Sequence, residues 1–115
     1  MEARHSYKVF YRDYEHDVSI PSHKPESLLA ERVAPLAQKL LQYPDNFLGI
    51  QDDNDIILQC YLDDDEQNLI LELMYPESPN CLRTILSVND GLELLARLPK
   101  EFTEETLPGA QLIEG

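Results

Sequence analysis

The hydrophobic pattern of this chain changes period along its length, and each change predicts a different element. Tyr7 to Tyr11 (YKVFY) is aromatic and β-branched and predicts a first strand, with a second short one over Val18 to Ile20 beyond the turn DYEHD. From Ser27 to Gln42, Leu28, Leu29, Val33, Leu36, Ala37, Leu40 and Leu41 recur at intervals of three and four. That spacing predicts one long helix with an apolar face. Ser22 is its expected N-cap, and Pro25 and Glu26 suit a first turn. Pro35 lies inside the pattern and is expected to kink the helix or make it restart, because proline removes a hydrogen bond and clashes with the preceding turn.

After Pro44 and Asp45 the period falls to two. Phe47 to Ile50, Ile56 to Leu62 (IILQCYL) and Asn68 to Tyr75 (NLILELMY) read as three strands, separated by the turns QDDND and DDDEQ. They predict an antiparallel meander. Cys81 to Leu86 adds a fourth strand after the loop Pro76–Asn80. Ser87, with Asp90 three residues on, caps a last short helix carrying Leu92, Leu94, Leu95 and Leu98 before Pro99. Residues 100–115 hold little pattern and are expected to form an extended acidic tail. The expected class is therefore α+β: a meander of about four to six strands packed against one kinked long helix and a short C-terminal helix.

Alternation also sorts the sheet into two faces. Leu58, Cys60 and Leu62 share one with Leu69, Leu71 and Leu73, and this is the expected core side. The other face offers Ile57, Gln59 and Tyr61 beside Ile70, Glu72 and Met74. Such a mixture is unusual for a solvated face, so either the N-terminal strands cover it or a partner does.

Composition narrows the function classes. The 115 residues carry 22 acidic and 9 basic side chains, a formal net charge of −13, with 43% hydrophobic residues. One domain with a real core is expected. So strong a negative charge argues against nucleic acid or an anionic membrane as a direct ligand. The N-terminal stretch lacks the apolar run of a signal peptide, and the two cysteines, Cys60 and Cys81, are too few for a disulfide framework. A cytoplasmic protein with free thiols is the expectation. The charge is also uneven: no Lys or Arg occurs between Lys39 and Arg83, where ten Asp or Glu do. Solubility alone could explain this, but the acids cluster in two turns, which points to a surface shaped for a basic partner.

Catalytic chemistry finds little support. D-x-D occurs at Asp53–Asp55 and Asp63–Asp65, yet neither turn has the glycine and distal glutamate of a calcium loop. The two turns also flank one strand about 23 Å long at roughly 3.3 Å per residue, too far apart to share an ion. His5, His16 and His23 match no zinc spacing. No G-x-S-x-G or glycine-rich phosphate loop is present. No catalytic residue, metal or cofactor is expected.

The segment DNFLGIQDDNDIILQCYLDDDEQNLILELMYPES resembles the small immunity proteins of bacterial polymorphic toxin and secretion systems. The likeness spans roughly residues 40–98 and rests on Asn46, Phe47, Leu48, Gly49, Leu58, Gln59, Leu71 and Glu72, with the helix after SVND completing the unit. It implies an α+β protein that binds and blocks a cognate toxin 1:1 without catalysis of its own. A toxin acting on nucleic acid needs a basic cleft, which acidic turns can occupy. The expected contact residues are Asp52, Asp53, Asp55, Asp63, Asp64, Asp65, Glu66 and Glu72, with Tyr61 and Met74 as apolar anchors. The alternative is an acidic adaptor or chaperone for a secreted effector, or a nucleic-acid mimic.

Overall fold

The structure, a computed structural model, describes residues 5–115. It is α+β: a mixed-length antiparallel sheet of eight strands with two short helices. The strands are β1 (Ser6–Asp13), β2 (Val18–Ile20), β3 (Glu26–Leu29), β4 (Phe47–Gln51), β5 (Ile57–Leu62), β6 (Asn68–Met74), β7 (Cys81–Ser87) and β8 (Gln111–Ile113). The helices are α1 (Val33–Leu40) and α2 (Val88–Ala96). The order across the sheet is β2-β1-β4-β5-β6-β7-β8, with β3 also pairing β1. β2 and β3 lie end to end on the outer side of β1, since Tyr11–Asp13 pair with β2 and Ser6–Val9 with β3.

The meander forms, with Leu58 opposite Leu73 and Leu62 opposite Leu69. Leu48, Ile50, Leu58, Cys60, Leu69, Leu71 and Leu73 are completely buried on one face. Val33, Ala37 and Leu40 of α1 and Leu95 of α2 join them in the same core. Gly91 lets α2 approach closely, since a Cβ there would sit 2.7 Å from Leu69 Cδ1.

The long kinked helix is corrected. Residues 26–29 are strand, 30–32 form a 3-10 turn, and only Val33–Leu40 are α-helical. Pro25 explains part of this, because a proline forces the residue before it out of the helical region, so the chain enters β3 extended. There Leu28 pairs with Tyr7 and satisfies the outer edge of β1, a tertiary gain that an isolated helix lacks. At Pro35 the structure shows a helix starting beside it, at Val33, rather than a longer helix bent there. The proline stands third in α1, within the first turn, where backbone N–H groups have no helical acceptor to lose. Ser22 caps nothing, whereas Ser87 does cap α2, its Oγ accepting from Asp90 N at 3.1 Å.

The extended tail is corrected as well. Phe102 and Leu107 are buried, residues 104–106 form a capped 3-10 turn, and β8 pairs with β7 through Arg83, Leu82 and Cys81. Phe102 stacks on Tyr7 with ring centroids 5.5 Å apart. The Tyr7 hydroxyl is shared between the carbonyls of Leu98 and Pro99, at 3.0 and 2.5 Å, and accepts from His5 Nε2 at 2.8 Å. Burial, then the nearby Asp52 carboxylate, push this phenol up to about 12. The first strand and the C-terminal segment are thus clamped together.

Three turns are closed by acidic residues in the left-handed region, where glycine is favoured: Asp17 (φ 52), Asp55 (φ 64) and Glu66 (φ 60). Glu66 has the least excuse, because aspartate tolerates this conformation better. Glu66→Gly should stabilise the protein by about 0.5–1 kcal/mol, the relief of strain exceeding the added freedom of the unfolded chain. Urea titration checks this. Glu66→Gln, which removes only the charge, should give less than half the gain.

Candidate functional site

Both helices cover one face of the sheet, and the strand residues on the opposite face lie outside the helix-packed core cluster, although Phe10 and Glu72 there are buried. The N-terminal strands do not cover that face either. β1 continues the sheet sideways from β4 through Val9–Ile50 and Tyr11–Leu48. Among the described residues the second face carries no helix; most of its side chains are half-buried and Ile85 is exposed, and the registers order it into three rows across the strands. Phe47, Tyr61, Ile70 and Ile85 form the first; Gly49, Gln59, Glu72 and Arg83 the second; Gln51, Ile57, Met74 and Cys81 the third.

Each row has its own chemistry. The first is apolar and ends in Ile85, which is 56% exposed and the most solvent-facing apolar side chain on these central strands. In the second, Glu72 Oε2 accepts from Arg83 Nε at 2.9 Å and from its terminal amino group at 2.6 Å. Phe10 lies across Gly49, whose Cβ would fall 2.1 Å from the ring, so this aromatic is buried although it sits on the helix-free side. The Glu72 charge also reaches its neighbours. Burial first, then Glu72, raise the Tyr61 phenol and the Cys81 thiol, and the hydrogen bond to Glu72 raises Arg83. Cys60 lies on the core side, where burial pushes its thiol up to about 12, so it is a packing residue rather than a nucleophile.

The proposed contact residues separate into two groups at opposite ends of β5. Tyr61 lies beside the turn of Asp63, Asp64, Asp65 and Glu66. Met74 pairs with Ile57 at the other end, near Asp52, Asp53 and Asp55. Three of these residues are taken up by the protein's own structure. Asp52 is 4% exposed: Oδ1 accepts from Asn54 N and Ile56 N at 2.9 and 3.0 Å, and Oδ2 from Phe102 N at 2.7 Å. Glu72 is buried and paired with Arg83. Both carboxylates are thus engaged within the protein's own structure. Asp63 is half-buried and holds its own hairpin, accepting from Gln67 N, Asn68 N and Asn68 Nδ2 at 3.0–3.2 Å. Asp64, Asp65 and Glu66 remain exposed, as do Asp53 and Asp55, the last accepting from Gln51 Nε2 at 2.8 Å.

Sequence reasoning missed the buried polar cluster at the same end as the Asp63 turn. Asn46 Nδ2 donates to Asp13 Oδ1 and to the Leu40 carbonyl, at 3.0 and 2.9 Å, and its Oδ1 accepts from Tyr14 N at 2.8 Å. Asp13 also accepts from His16 N and Nδ1, at 3.2 and 2.8 Å. A buried asparagine inside an apolar run, N-F-L-G-I, was the signal available. Asn46 and Gly49, two residues that carry the immunity-protein likeness, thus have structural work here: one ties α1 to the first hairpin and the other seats Phe10.

For Asp13, burial pushes the carboxyl up, but the hydrogen bonds from His16 and Asn46 outweigh it and the net shift is downward. Asp63 is lowered by Asn68 above all. A lowered folded value means the unfolded chain binds protons first as pH falls. Both groups therefore contribute fully above about pH 4, the ordinary carboxylate value, and lose that contribution as pH drops through their folded values. The expected result is a melting temperature falling below about pH 4 in the wild type and more gently in Asp13→Asn. Differential scanning calorimetry from pH 2 to 6 measures it; parallel profiles would remove Asp13 from the account.

A groove of about 700 Å³ runs between α1 and the outer strands over Val9, Tyr11, Ile20, Leu28 and Leu36, well away from the acidic turns. Among the described residues, no group of three or more His, Cys, Asp or Glu is placed to hold a metal ion, and no helix is long and apolar enough to cross a membrane. Compared with known proteins, the chain matches no family model, no curated protein and no solved structure.

Proposed function

We propose that the helix-free face of the sheet is a docking surface for a basic protein and that the chain is a non-catalytic binder. The specific form of the reading is an immunity-type inhibitor, cytoplasmic and 1:1, whose acidic turn enters the phosphate-binding cleft of a toxin. One observation carries it: the apolar row Phe47–Tyr61–Ile70–Ile85 runs directly beside Asp64, Asp65 and Glu66, in a stretch with no Lys or Arg from residue 40 to 82. An apolar centre rimmed by like charge is the anatomy of an interface that attracts at long range and holds at short range.

The test uses the product of the gene adjacent to this one as the binding partner, captured on a sensor surface. Tyr61→Ala should weaken binding by about 2 kcal/mol or more, mainly through faster dissociation. Replacing Asp64, Asp65 and Glu66 by Ser, while sparing the structural Asp63, should slow association about tenfold at low salt and little at high salt. If both variants bind like the wild type at every salt concentration, the charge serves solubility and the reading fails.

A further inference from the structure

The partner's point of entry can be named from the edge of the sheet. β7 has seven residues and all pair with β6, but β8 covers only Cys81, Leu82 and Arg83. The other half of that edge, residues 84–87, is about 13 Å long at roughly 3.3 Å per residue.

Backbone direction follows from the hairpin before it. Asp63 N donates to the Asn68 carbonyl at 3.0 Å, so Asn68 turns its polar groups toward β5. In an antiparallel ladder successive residues alternate, so Leu69 and Leu71 turn theirs toward β7, where Leu86 and Thr84 meet them. Ile85, between those two, turns its N–H and C=O outward. Among the described residues no backbone group pairs with it there. β8 stops short because the chain bends away at Gly109 (φ +72), with Ala110 N donating to the Leu107 carbonyl. A small hollow opens at this step, lined by Arg83, Thr84, Ile85, Gly109, Gln111 and Ile113.

Ile85 therefore offers a partner both an unpaired backbone and a 56% exposed side chain at the end of the apolar row. Natural sheets usually blunt such an edge with a charge or a proline, and Thr84–Ser87 contain neither. The one basic side chain lining this hollow, Arg83, is held by Glu72, and the unpaired charge around it is acidic. Residues 61–70 and 84–93 contain no Lys or Arg, while Asp64, Asp65, Glu66, Asp90 and Glu93 are exposed. The acidic turn lies about two strand spacings, roughly 10 Å, from β7.

We propose that Thr84–Ser87 is a strand-addition site, filled by an extended segment of the basic partner that continues the line of β8. The occupant places an apolar side chain beside Ile85, lengthening the row Phe47–Tyr61–Ile70–Ile85, and carries lysine or arginine on either side of it. A second copy of this chain would bring −13 against −13 at the same edge, so a basic segment is the matching occupant. This inference rests on the functional reading above and adds to it the mode of recognition.

The probe is an acetylated, amidated heptapeptide of alternating Lys and Val, added to the full chain and followed by amide exchange in NMR. With nine-tenths of sites filled, exchange at the Ile85 amide should slow about tenfold. The peptide with Glu for Lys should not bind. Ile85→Pro should keep its melting temperature within a few degrees, because that N–H faces outward and β6 loses no bond, and should lose the peptide. The proposal is overturned if Ile85 exchange is unchanged, if the Glu peptide binds equally, or if folded Ile85→Pro still binds. It is equally overturned if Ile85 is protected without peptide in a concentration-dependent dimer, which would make a second copy the occupant. The two readings fail separately: a basic partner that binds Ile85→Pro like the wild type but loses affinity for Tyr61→Ala keeps the docking face and removes the added strand.

Discussion

Phe102→Ala is expected to destabilise the protein by about 3–5 kcal/mol, the range for emptying a buried aromatic site. Phe102 is 2% exposed and stacked on Tyr7, whose hydroxyl is fixed to the carbonyls of Leu98 and Pro99. The lost ring leaves Tyr7 facing a cavity at the seam between β1 and the C-terminal segment. Urea denaturation gives the magnitude. Hydrogen exchange should show residues 100–113 losing protection before the meander does, because β8 is held to the sheet by only three residue pairs. A change under about 1 kcal/mol would mean that the segment is peripheral and that the core closes without it.

Asp52→Ala should produce a loss of similar size by a different route, about 3–5 kcal/mol. The carboxylate is nearly buried and accepts from three backbone N–H groups, and each donor left unsatisfied in the interior costs about 1–3 kcal/mol. Two of those donors belong to the β4–β5 turn and the third to Phe102, so one side chain joins the meander to the C-terminal segment. Asp52→Asn tests the chemistry: its single oxygen can keep the turn bonds, but its amide group then faces the Phe102 N–H. It should fall between wild type and alanine. The double variant with Phe102→Ala should cost less than the sum of the two, by about 0.5–3 kcal/mol, because both act on the same segment. Strict additivity would show that the tie does not transmit.

These two residues bear on function through what they remove from the surface. With Asp52 and Glu72 engaged internally, the acidity open to a partner is narrower than the sequence suggests, and the end carrying Asp64–Glu66 stands out because Tyr61 and Ile70 adjoin it. Mutating acids indiscriminately would confuse unfolding with lost binding. The informative variants are those whose side chains make no internal bond.

The hydrophobic alternation by itself determined the antiparallel meander and its buried face. A period-two pattern with leucines at every second position can hide them only one way, and a slip of one residue would expose them all. Ser87 and Asp90 likewise placed the last helix, because a cap is a local bond between residues three apart. What lay beyond reach depended on partners distant in sequence. Residues 26–29 carry spacing compatible with helix or strand, and only the vacant edge of β1 decides between them. Residues 100–115 look like a tail until Tyr7 and Asp52, some ninety and fifty residues earlier, supply a stacking surface and an acceptor. The acids are indistinguishable in the sequence; tertiary structure turned Asp52 and Glu72 inward, where backbone N–H groups and Arg83 replace water, and left Asp64, Asp65 and Glu66 facing solvent.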